Sequence, residues 1–272
     1  EFIKGSMLDE QLVNTLIARV DGCIHLGAAL GVQRILEKPY QSLVANIHGS
    51  ENVLDIAADR GVPILLASTS EIYGKDSSGL LNEESDRIIG SPLLTRWSYS
   101  EAKALDETYA RALYEKSGLQ VKIIRYFNTV GPRQSSAYGM VIPKLFKACL
   151  EGQPLIVHGD GTQQRIFCHV ADSISGTLAL WDSPKGNGEV FNLGGVEEVR
   201  IIDLAKRIVE VTGSSSTIEF LSYETLRLEG FEDMSRRLPD TSKLRGATGW
   251  RAEIGLERIL SDYFEYAKSV WN

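Results

Sequence analysis

The sequence predicts an α/β fold built on a doubly wound parallel sheet, and three observations carry the prediction. Short apolar runs at residues 22–26, 63–68 and 121–126 alternate with helix-length amphipathic segments at 42–60 and 98–117, the rhythm of strand, helix and strand in one sheet. Each of those segments closes on a glycine, Gly61 or Gly118, that leads into the next apolar run, as a left-handed helix cap would. Hydroxyls and charges follow the apolar runs, where strands of open α/β sheets present their ligand-binding ends.

The first run, Gly22-Cys23-Ile24-His25-Leu26, has no alternation of polar and apolar residues, so it reads as a strand buried on both faces. The second, Pro63 to Ser68, continues into Thr69-Ser70-Glu71-Ile72-Tyr73-Gly74, three hydroxyls and a carboxylate at a strand end. The third, Val121 to Tyr126, continues into Phe127-Asn128-Thr129-Val130-Gly131-Pro132-Arg133. Beyond Pro132 the rhythm shortens, with the turn Gly159-Asp160-Gly161 and helices expected at 141–151, 203–212 and 256–269. Residues 1–131 are therefore expected to form one lobe and 132–272 a smaller, substrate-facing lobe, with some later segments returning to the first. A nucleotide-binding sheet of this class opens with a strand, a glycine-rich turn and a helix. Neither G-x-G-x-x-G nor G-x-x-G-x-x-G occurs near the start, so the first lobe reads as N-terminally incomplete.

Composition narrows the function. The 272 residues are 43% hydrophobic and 24% charged, enough for a sizeable core. No apolar run approaches the roughly 20 residues that span a bilayer, and Glu1-Phe2-Ile3-Lys4 lacks the order of a signal peptide, so a cytoplasmic protein is expected. A net charge of −7 with scattered basic residues argues against nucleic acid, while a small anion needs only a local cluster. Cys23, Cys149 and Cys168 have no metal or disulfide spacing, and the four histidines have no metal-ligand spacing. No metal is expected.

Tyr99 and Lys103 lie four apart and share a helix face. An ammonium beside a phenol favours the phenolate and lowers its pKa, so the pair is a candidate general base. Asn128 offers an amide for a hydroxyl or phosphate oxygen. Arg165, after Gly159-Asp160-Gly161-Thr162-Gln163-Gln164, and the pair Arg236-Arg237 offer guanidinium forks for a diphosphate.

Taken in order, the hydroxyl-rich strand end, Tyr99-x-x-x-Lys103, Arg125-Tyr126-Phe127-Asn128 with Gly131-Pro132-Arg133, Gly159-Asp160-Gly161-Thr162-Gln163 with Arg165, Phe191-Asn192-Leu193-Gly194, and Arg236-Arg237 with Pro239-Asp240 and Gly249-Trp250 resemble the extended short-chain dehydrogenase/reductase family. The resemblance is to its nucleotide-sugar epimerases, dehydratases and decarboxylases, and it runs along essentially the whole chain. It implies a Rossmann-type sheet, NAD as cofactor and modification of a nucleotide-sugar, a UDP-sugar first, through a 4-keto intermediate.

By that resemblance Tyr99 takes the proton of the sugar 4-hydroxyl, Lys103 holds the nicotinamide ribose, and Thr69 and Ser70 bond the same sugar oxygen. Glu71 serves later proton handling. Leu26, Gly27, Ala28, Ser68 and Tyr126 line NAD with Tyr99 and Lys103. Asn128, Arg165 and Arg237 grip the substrate diphosphate, with Arg236 the other choice for the second clamp. Two further departures from the family pattern are Ser6, where an acid usually meets adenine, and Gly27, where alanine is usual. Thr69-Ser70-Glu71 matches the triplet of UDP-glucuronate decarboxylases and GDP-mannose dehydratases, whereas Ala28-Ala29-Leu30-Gly31-Val32 lacks the Ser/Pro-rich loop associated with the decarboxylases. The apolar residues of 42–60 and 98–117 (Leu43, Val44, Ile47, Leu105, Leu113) spread over more than one face. With the family's four-helix-bundle interface, they imply a homodimer. The alternative is a truncated, non-catalytic relative that binds a nucleotide-sugar or serves as a dimeric scaffold.

Overall fold

The computed structural model describes residues 1–31, 35, 37–76, 79–136, 140–222, 224–225 and 234–271. Its first half contains α1 (Glu10–Ile17), β1 (Cys23–His25), α2 (Pro39–Arg60), β2 (Ile64–Thr69), α3 (Ser98–Ser117), β3 (Val121–Tyr126) and β4 (Thr129–Val130). Its second half contains α4 (Val141–Leu150), β5 (Leu155–His158), β6 (Gln164–Ile166), β7 (Cys168–His169), α5 (Val170–Asp182), β8 (Val190–Leu193), β9 (Glu198–Arg200), α6 (Ile201–Thr212), β10 (Ile218–Leu221), β11 (Arg236–Arg237), α7 (Ser242–Thr248) and α8 (Leu256–Trp271).

Local chemistry sets the boundaries. α2 begins at Pro39, three residues before the expected Ser42, because the fixed φ of proline suits a helix's first position and its missing N–H has no partner to lose there. It ends on Gly61 at φ 67, and α3 ends on Gly118 at φ 74, left-handed positions that glycine reaches without strain.

Four strands pair in parallel in the order β1-β2-β3-β8. Alternate residues go to opposite faces. Ile64, Leu66 and Ile123 pack with α1, with Val53, Leu54 and Ala57 of α2, and with Ala110 of α3. Leu65, Ile124 and Phe191 pack on the other side with Leu180 of α5, Leu244 of α7 and Trp250. Helices cover both faces, which is why the strands read as unbroken apolar runs. The expected doubly wound α/β architecture is observed.

A separate core joins α4, α6 and α8 over β5, with Phe146 and Tyr263 at its centre, their ring centroids 5.2 Å apart. Two registers place the functional residues. Thr69 is the partner of Tyr126 at the carboxyl ends of β2 and β3, and Arg237 is the partner of Arg165 where β11 meets β6. No helix among the described residues is long and apolar enough to cross a membrane.

Candidate active site

A cavity of about 620 Å³ opens at the carboxyl ends of β1, β2 and β3. Of the residues expected from the sequence, Leu26, Ala28, Ser68, Thr69, Ser70, Glu71, Tyr99, Lys103, Tyr126, Asn128 and Arg237 line it. Residues 26 to 128 converge because three parallel strands end at one edge and α3 begins there, and Arg237 joins them from β11. The Asn46 side chain accepts the Ala29 N–H at 2.7 Å and donates to its carbonyl at 3.0 Å, fixing the turn that follows β1 against α2.

Tyr99 sits in the first turn of α3, half-buried, with its hydroxyl hydrogen-bonded to Thr69. Its pKa departs from expectation. Burial raises it first, then the charges of Glu71 and Asp106, and the Thr69 bond only partly offsets them. Lys103, 2% exposed, donates its Nζ to Asp106 Oδ2 at 3.0 Å. Asp106 also accepts from Ser50 at 2.9 Å, and Ser50 lies 3.3 Å from His25 Nε2. The ammonium expected to favour the tyrosinate is thus partnered by a carboxylate.

Glu71 follows Thr69 in a short 3-10 turn, and two of its contacts lash it to the start of α3. Its N–H donates to Thr69 Oγ1, its carbonyl accepts from Ser100 at 2.8 Å, and its carboxylate accepts from Arg96 Nη1 at 2.7 Å. Arg237 Nη1 is farther, at 3.7 Å. Burial pushes the Glu71 pKa up, but Arg96, Arg237 and Arg165 together hold it below the usual carboxylate value.

Four of the expected site residues have surroundings that the sequence did not show. Asn128, expected to meet a diphosphate, lines the cavity; its amide donates to the Ile166 carbonyl at 2.9 Å and its oxygen accepts from Arg237 Nη2 at 2.7 Å, so it orients Arg237. Arg236 forks onto Glu198 at 3.0 and 3.1 Å, away from the cavity that Arg237 lines. Gly27 and Arg165 are not wall residues: a Cβ on Gly27 would meet Met7 and the His25 ring, and Arg165 is buried with Nη1 on the Gln164 carbonyl.

Sequence reading missed a second buried layer. Ser68 donates to Glu107, and Arg125 grips the same carboxylate through Nε at 2.9 Å and Nη2 at 2.7 Å. Arg125 also donates to Tyr73 at 2.9 Å, and Tyr73 to Asn192 at 2.7 Å. Asp106 and Glu107 follow Lys103 by three and four residues, a spacing that signals a shared face. Arg96 precedes Tyr99 by three.

The residues present suit the nicotinamide-ribose half of NAD. Exposed Ile24, Leu26 and Leu30 form an apolar shelf beside Tyr99, Thr69 and Lys103, the pairing of flat apolar wall and few polar groups that cofactor sites use. A family model described as "NAD dependent epimerase/dehydratase family" matches residues 1–194. The chain belongs to that family.

It is 36% identical over 268 residues to a UDP-N-acetyl-alpha-D-glucosaminuronate decarboxylase of Bacillus cytotoxicus, covering 98% of this chain and 83% of that protein. It is 32% identical to UDP-glucuronic acid decarboxylase 1 of Xenopus tropicalis, covering 96% of this chain but 60% of the longer relative. Among solved structures it resembles a UDP-glucuronic acid 4-epimerase of Bacillus cereus, crystallised with UDP-glucuronic acid and NAD, at TM-score 0.87 and 28% identity, covering 99% of this chain and 82% of that one. The Rossmann-type fold, NAD as cofactor and an enzymatic role follow.

Proposed function

We propose that this enzyme of the NAD dependent epimerase/dehydratase family removes the carboxyl group of a UDP-uronic acid by way of a 4-keto sugar. The observation that carries the reading is the pairing of Glu71 with Arg96 and Arg237 at the cavity wall that also holds Thr69 and Tyr99. A guanidinium there suits the carboxylate of a uronic acid. The decarboxylase relatives support it, and outweigh the missing Ser/Pro-rich match at 28–32.

When bound, NAD supplies the acceptor for the C4 hydride and later returns it. Tyr99 takes the proton of the 4-hydroxyl, and Thr69 holds the same oxygen. Once C4 is a ketone, the carboxylate is β to it. The C5–C6 bond breaks, carbon dioxide leaves, and the bonding electrons delocalise onto the C4 oxygen, where the Tyr99 and Thr69 hydroxyls stabilise the developing charge. A proton then adds at C5 from water, which the ionised Glu71, the one carboxylate among the described lining residues, would orient. Leu26, Ala28, Ser68, Lys103 and Tyr126 would hold the dinucleotide, Gly27 letting the turn lie close. Asn128 acts behind Arg237 by a hydrogen bond, and Arg165 acts on Glu71 by charge.

The test supplies the purified protein with NAD and, separately, UDP-glucuronate, UDP-N-acetylglucosaminuronate, UDP-glucose and dTDP-glucose, and weighs the products. Loss of carbon dioxide from a uronate is expected. Loss of water, or an isomer of unchanged mass, assigns a dehydratase or an epimerase instead. No product from any of the four favours the scaffold.

We further propose a cytoplasmic homodimer whose lobes divide near residue 131. Leu43, Val44 and Ile47 of α2 are only partly covered and Leu105 of α3 is exposed, which fits a symmetric helix-pair contact. A monomer mass by light scattering at micromolar concentration would contradict the dimer.

A further inference from the structure

Glu71 has two guanidinium partners of unequal standing. Arg96 reaches it at 2.7 Å from the 3-10 turn Thr95–Trp97 and is 4% exposed, while Arg237 stands at 3.7 Å and is tethered by Asn128. Arg96 and Ser100 also flank Tyr99 in sequence and grip opposite ends of the same glutamate, so the segment carrying Thr69 is fixed to the helix carrying Tyr99. We infer that Arg96 is the permanent counter-ion of Glu71, a positioning residue that leaves Arg237 exchangeable for the carboxylate of the substrate. The inference rests on the UDP-uronate reading above.

The physical reason is charge accounting in a dry site. A carboxylate as covered as Glu71, whose side chain is 19% exposed, stays ionised most readily with a cationic partner. Were Arg237 its sole close cation, a uronate entering the cavity would compete with Glu71 for that guanidinium, and two carboxylates on one cation repel. With Arg96 in place, Arg237 can turn to the substrate while Glu71 keeps a short, charge-assisted hydrogen bond. The groups facing the Glu71 side chain are Arg96 from its own turn, Tyr99 from α3, Arg237 from β11 and Arg165 from β6. Only Arg96 and Arg237 come within ion-pair distance of it among the described residues.

The experiment measures the affinity of UDP-glucuronate and of UDP-glucose for the protein by calorimetry, across pH, for wild type, Arg96→Gln, Arg96→Lys and the double variant Arg96→Gln/Glu71→Gln. Wild type should bind the uronate more tightly than the glucoside. Arg96→Gln should lose about tenfold or more in uronate affinity at neutral pH, with UDP-glucose little changed. Its affinity should recover as pH falls, because protonating Glu71 releases Arg237; wild type should show no such recovery. Arg96→Lys should restore part of the loss. The double variant, which removes both charges and keeps the fold neutral at this point, should restore most of it.

Equal affinity of Arg96→Gln and wild type for UDP-glucuronate overturns the inference. So does a loss that persists in the double variant, which marks Arg96 as structural only, or a wild type that does not distinguish the two sugars. Carbon dioxide release is scored separately, so a wild type that binds uronate selectively but yields no carbon dioxide sinks the proposed reaction and leaves the role of Arg96 standing.

Discussion

The Lys103 ammonium donates to Asp106 at 3.0 Å, about two helical turns beyond Tyr99, the tyrosine it was expected to activate. Tyr99 accordingly titrates above the ordinary phenol value, driven by burial and by the charges of Glu71 and Asp106. Replacing Asp106 with Asn removes one of those charges and frees the ammonium, so the Tyr99 phenol should ionise at lower pH. Ultraviolet difference titration of Asp106→Asn against wild type, each with a Tyr99→Phe control, reads the shift directly. An unchanged or higher titration in Asp106→Asn would show that Lys103 has no electrostatic hold on the phenol.

Tyr99→Phe deletes one oxygen whose partner is Thr69 and keeps the ring in place. Turnover with NAD and the active nucleotide-sugar should fall by roughly 10²–10⁴, the usual worth of a general base. Thermal unfolding should stay within about 1 kcal/mol of wild type, since one modest hydrogen bond is lost. Wild-type turnover in a folded variant would remove Tyr99 from the chemistry.

Stability should depend on pH through His25. Burial first, and the Lys103 charge second, lower its pKa from 6.5 to about 4. Between those values the unfolded chain binds a proton that the folded chain refuses. The contribution is therefore fully present above pH 6.5 and is lost as pH falls toward 4, on the order of 3 kcal/mol in all. Urea unfolding from pH 7 to pH 4 should fall less steeply for His25→Gln than for wild type, and parallel slopes would rule the histidine out as the cause.

The Glu107–Arg125 pair supports the site from beneath. Glu107→Gln leaves the Arg125 guanidinium buried beside Tyr73 without its counter-charge, which should cost about 3–5 kcal/mol. Denaturant unfolding measures it. A cost below about 1 kcal/mol would mean that water reaches the pair.

The parts legible from sequence are those set by local rules. Gly61 and Gly118 ended their helices as expected, and the four-residue spacing put Tyr99 and Lys103 on one helix because a 3.6-residue period demands it. The unbroken apolar runs announced parallel strands. The pairings that decide charge were not legible, because they join residues far apart in sequence: Ser50 with Asp106 across 56 residues, Asn128 with Arg237 across 109. β11 is two residues long and carries no periodicity, so the choice between Arg236 and Arg237 needed the register with β6. Lys103 was legible as a cation and not as a paired one, since Asp106 three residues on is as often a solvated neighbour.

Successive turns of α3 carry Tyr99 at the cavity, then Lys103, then Asp106 and Glu107 in the dry layer beneath. Reagent, tuner and foundation are threaded on a single rigid rod. A twist or slide of that rod cannot adjust the hydroxyl while sparing the ion pairs below, so evolution is left with the residues across the gap as its dials. Diversity of chemistry on this scaffold should therefore be sought opposite the helix, at positions such as 71 and 237, while the rod itself stays in place.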